Sequence, residues 1–76
     1  MASVLEMSGH FFAPLDGIVV WADENGRPRY GSVETFLASP KRPFAPGMDA
    51  ELAAMIEDAK SHADRHYFPI VSVIRF

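Results

Sequence analysis

The sequence predicts a small α+β domain: an antiparallel or mixed sheet made of a hairpin plus a C-terminal strand, with one main helix packed on one face. Three observations predict it. Asn25-Gly26 stands between β-rich runs at Ile18–Ala22 and Arg27–Tyr30, which marks a hairpin because both residues tolerate positive φ. Apolar residues recur at helical spacing from Asp49 to about His66, and Phe68 to Phe76 is rich in Ile, Val and Phe at both alternating positions.

In chain order, residues 4–12 mix apolar and small polar residues, with a first strand around Phe11 and Phe12 before Pro14 and Asp16-Gly17 interrupt it. A two-residue type I′ turn at Asn25-Gly26 then sets a hairpin register with Glu24 opposite Arg27, Ala22 opposite Arg29 and Trp21 opposite Tyr30. Pro28 cannot donate a ladder hydrogen bond, so the second arm belongs at a sheet edge and Ile18–Ala22 lies further inside.

After the hairpin, Ser32 is placed to cap a short helix over residues 33–38, with Glu34 in its first turn and Pro40 forbidding continuation. A strand extended through Val33 and Thr35 competes with that reading. Residues 39–47 hold three prolines and a glycine and form an irregular connection. In the long helix Leu52, Met55, Ile56, Ala59, Ala63 and Tyr67 make the apolar stripe, while Glu57, Asp58, Lys60, Asp64 and Arg65 lie away from it. Pro69 ends the helix, and the terminal strand reads as one covered on both faces or paired with another chain.

With 76 residues the chain has room for one domain, residues 1–76, and one modest core. It has no cysteine, so no disulfide or thiolate site, and a cytoplasmic location is expected. The N-terminal residues show neither a basic n-region nor a long apolar run, so no export signal or membrane span is expected. At 49% hydrophobic and 22% charged the composition is apolar for its size, and the two-sided terminal strand adds to an expectation of a homodimer. A net charge of −3 argues against a general phosphate-backbone binder. Basic residues gather around the hairpin and proline-rich loop, and acids along the helix.

The best metal-like constellation is Asp58, His62 and His66, whose spacing of four puts them along one helix ridge. An ordinary intrahelical pair plus a histidine favoured by the helix C-terminus explains the same residues without metal, so neither a metal nor any cofactor is expected. Ser8, Ser32, Ser39, Ser61 and Ser72 lie in no nucleophile motif. The acid pairs Asp23-Glu24 and Glu57-Asp58 are chain neighbours whose side chains diverge, and no glycine-rich phosphate loop exists. No catalytic residue is therefore assigned.

Arg27, Arg29, Tyr30, Lys41 and Arg42 are the candidate partner-binding residues, a basic and aromatic surface beside Trp21. The expected function is a small non-enzymatic module that docks on a protein partner, of the kind found among phage or bacterial accessory and inhibitor proteins. A nucleic-acid-associated regulator using the same basic surface is the alternative, and a small metal-dependent or acid-base enzyme built on the histidine ridge comes third.

Overall fold

The computed structural model describes residues 2–8 and 17–76. Four strands form one mixed sheet: β1 (Ser3–Ser8), β2 (Ile18–Ala22), β3 (Pro28–Ser32) and β4 (Ile70–Arg75), in the spatial order β1-β4-β2-β3. β4 runs parallel to both β1 and β2, and β2 and β3 form the antiparallel hairpin. Helix α1 (Val33–Leu37) and helix α2 (Asp49–Arg65) occupy the connection from β3 to β4.

The two inner strands carry the core. All five residues of β2 and Val71–Ile74 of β4 are buried, because each strand has a neighbour on both edges and apolar cover on both faces. Ile18, Val20, Val71 and Val73 face α2, where Leu52, Ala59 and Ala63 fill the gap. Alanine at 59 and 63 lets the helix backbone come close to the sheet. Val19, Trp21 and Ile74 face the other way and pack with Val33 and Phe36 of α1. The Trp21 and Phe36 rings meet edge to face, centroids 5.8 Å apart. Ser72, fully buried in β4, leaves its hydroxyl without a hydrogen-bond partner among the described residues.

The sheet is mixed, and β4 is an inner strand as its composition implied. β4 is paired on both edges and covered on both faces within the chain, so its two-sided apolar pattern needs no second subunit; among the described residues the outer strands are β1 and β3. β1 lies upstream of any strand the sequence predicts, because exposed Val4 and Leu5 on an outer strand blur its alternation. The strand expected around Phe11 and Phe12 lies outside the described residues. Residues 33–37 are helical, not a continuation of β3. Ser32 Oγ accepts the Thr35 N–H at 3.2 Å, and this capping bond favours the helix over the strand.

The hairpin register differs by one residue from the expected one. Trp21 stands opposite Arg29, Val20 opposite Tyr30 and Ala22 opposite Pro28, so the loop holds three residues, not two. The Gly26 N–H donates to Asp23 O at 2.9 Å and the Asp23 N–H to Arg27 O at 2.8 Å. Gly26 takes the positive φ of 78° while Asn25 does not. This is a turn from Asp23 to Gly26 closed by a left-handed glycine. The cause is the Asp23 side chain, whose Oδ1 accepts the backbone N–H groups of Asn25 at 2.8 Å and Arg27 at 3.0 Å. A one-residue slip reverses faces. Trp21 goes to the α1 side and Tyr30 to the α2 side, so they are not a cross-strand pair.

Candidate functional site

On the α1 side of the hairpin lies an open cavity of about 340 Å³, at the lower end of the range for small-molecule sites. Trp21, the α1 residue Thr35 and Pro40 line its body, and Asp23, Asn25 and Arg29 are among the residues around it. The register places Trp21 and Arg29 side by side, so an indole and a guanidinium share one patch.

The electrostatics centre on Asp23. The Arg27 N–H, and after it the Asn25 N–H and the Arg29 guanidinium, hold its carboxyl below the ordinary value of 3.8, against an opposing push from burial. Arg29 Nε donates to Asp23 Oδ2 at 3.2 Å. The hydroxyls are likewise engaged: Thr35 Oγ1 is 2.9 Å from Ser32 Oγ, and Ser39 Oγ donates to Thr35 O at 2.8 Å.

The five residues expected to bind a partner do not converge. Arg29 alone among them lines the cavity. Arg27 reaches Glu51 at the start of α2, with Nη2 to Oε1 at 3.2 Å. Lys41 Nζ turns back on α1, donating to the carbonyls of Ser39 at 2.7 Å and Phe36 at 2.9 Å and lying 4.4 Å from the Phe36 ring centre. It closes the C-terminal end of that helix. Arg42 bridges through its backbone to Ala22. Tyr30 is half-buried on the opposite face, 5.5 Å from the His62 ring.

Along the histidine ridge, His62 and His66 come together with ring centroids 4.4 Å apart. Asp58 does not join them: among the described residues no group of three His, Cys, Asp or Glu side chains has metal-binding geometry. Two features escaped the sequence reading. Thr35, Ser39 and Pro40 reach the cavity only because α1 folds back over the hairpin, which depends on the Ser32 cap. Tyr67 takes a left-handed φ of 60° with its side chain 93% exposed, although helical spacing assigned it to the apolar stripe.

No family model, no curated protein and no solved structure matches this chain. The functional reading therefore rests on the chain's own residues. No helix among the described residues is long and apolar enough to cross a membrane.

Proposed function

We propose that the protein is a non-enzymatic interaction module that docks on a protein partner through the hairpin cavity, with the exposed Arg29 as its contact residue and the buried Trp21 as the cavity floor. The observation that carries this reading is the commitment of Asp23. A general base must be free to take a proton, whereas this carboxylate is stabilised as the anion by two backbone N–H groups and Arg29. The Thr35 and Ser39 hydroxyls are spent on capping and loop bonds. What remains is recognition chemistry: an indole, a proline and an exposed guanidinium, a composition common where proteins meet.

Ion pairing favours this reading over a nucleic-acid surface. Arg27, Arg29, Lys60 and Arg75 each face a carboxylate, and Lys41 faces carbonyls. These pairings neutralise much of the positive charge that a phosphate backbone would have to find.

The test is retention of a native-host partner by immobilised wild-type protein and by two variants. Arg29→Gln, which removes the charge without setting a second acid against Asp23, should abolish retention while costing no more stability than one exposed ion pair, and Glu57→Gln, on the outer face of α2, should leave retention intact. Loss with Glu57→Gln and retention with Arg29→Gln would move the contact surface to the helix.

A further inference from the structure

From the last turn of α2 we infer that His62 and His66 form a two-imidazole chelate for a divalent transition-metal ion of the zinc class. This site lies on the α2 side of the sheet and is independent of the hairpin cavity. Residues four apart on a helix share one face, and paired histidines at that spacing are a recurrent zinc-binding arrangement. Here the rings have already approached, with centroids 4.4 Å apart and planes inclined at 36°. A zinc–nitrogen bond of about 2.1 Å puts each ring centre roughly 3.2 Å from the ion, so two imidazoles at the tetrahedral angle have centres roughly 5.3 Å apart. A small opening of the two rings therefore suffices.

Three further features support the chelate. The Tyr30 ring packs against His62 at 5.5 Å and restricts its rotamers, which lowers the entropy lost on binding. The His66 N–H donates to His62 O at 3.1 Å, so the backbone between the two ligands is still helical. The negative end of the helix dipole lies here, where a cation is favoured. Of the surrounding charges, Asp64 accepts the Ala2 N–H at 2.7 Å and Asp58 stands one turn before His62. Arg65 lies between the two histidines in sequence. His66 is exposed and His62 half-buried, so the ion is reached from solvent and water completes its coordination. Imidazole donors suit zinc, copper and nickel over magnesium or calcium.

The experiment is a calorimetric titration of the whole chain with zinc in a non-coordinating buffer, paired with thermal melting with and without the metal. One ion per chain and a zinc-dependent rise in melting temperature are expected. His66→Ala removes an exposed ring and should weaken binding roughly tenfold or more, with the metal-free melt unchanged. His62→Ala should weaken binding as much, and should lower the metal-free melt as well because its ring packs on Tyr30. Absence of binding by the wild-type chain, or undiminished binding by His66→Ala, would overturn the assignment.

Discussion

The Asp23 carboxylate meets the Arg29 guanidinium across the hairpin at 3.2 Å, and the same carboxylate holds the turn through the N–H groups of Asn25 and Arg27. One side chain thus sets the loop length, the strand register and the charge of the cavity. Its folded-state pKa is depressed below 3.8. The stabilisation it provides is therefore complete above the unfolded value and is lost as pH falls from about 4 through the lower folded value. Asp23→Asn should cost about 1 kcal/mol at neutral pH, a modest figure because Arg29 is 68% exposed and solvent screens the pair. Urea melts of both proteins should show that difference shrinking below about pH 4; a constant difference would mean that the carboxylate charge is not what holds the turn.

Gly26 and Gly47 both take positive φ, at 78° and 82°, yet they should respond differently to substitution. A Cβ on Gly26 would lie 2.8 Å from both the Cβ and the backbone N of Ala45, whose N–H donates to Gly26 O at 2.9 Å. A Cβ on Gly47 would meet nothing within 4 Å. Gly47→Ala should cost about 1 kcal/mol from conformation alone. Gly26→Ala adds the clash and should cost about 2 kcal/mol or more. Equal denaturation midpoints for the two variants would show that Ala45 moves aside freely.

The architecture was legible where a periodic pattern met a local stop signal. The α2 stripe ended near Pro69, Ser32 and Pro40 bounded α1, and Ile18–Ala22 had no polar alternation and became an inner strand. The register differs from the predicted one because Asn-Gly fits two turn types, and Asp23, two residues earlier, decides between them by occupying the turn amides with its side chain. That choice also decided the candidate site. It separated Trp21 from Tyr30 and left Arg29 as the one basic candidate at the cavity. Pairings such as Arg27 with Glu51 and Arg75 with Glu6 join residues far apart in sequence, so no local pattern announces them.

The packing of α2 is steeper than its periodicity implies. Leu52, Ala59 and Ala63 are buried, while Met55 and Ile56 are only half-buried at the edge of the contact. Leu52→Ala should cost about 3 kcal/mol, since it opens a cavity against the sheet, and Ile56→Ala about 1 kcal/mol. Ile56→Asp can turn its carboxylate toward water and should fold, whereas Leu52→Asp should not. Circular dichroism melts of the four variants give the order directly, and an Ile56→Ala loss as large as that of Leu52→Ala would rotate the helix face by one position.

Tyr67 sits where a helix usually places glycine. The Phe68 N–H reaches back to Ala63 O at 2.8 Å and His66 caps the helix, so Tyr67 is the residue that must adopt the left-handed turn, at φ 60°. A side chain there costs about 1–2 kcal/mol, and the ring, 93% exposed, recovers almost nothing by packing. Glycine removes that cost while giving back about 0.5–1 kcal/mol in unfolded-state entropy. Tyr67→Gly should therefore stabilise the fold by about 0.5–1 kcal/mol in urea melts. Tyr67→Ala keeps the backbone penalty while deleting the ring, and should leave stability near wild type. A gain with alanine equal to that with glycine would assign the effect to the exposed ring, and a loss with glycine would show that the ring packs on the folded chain.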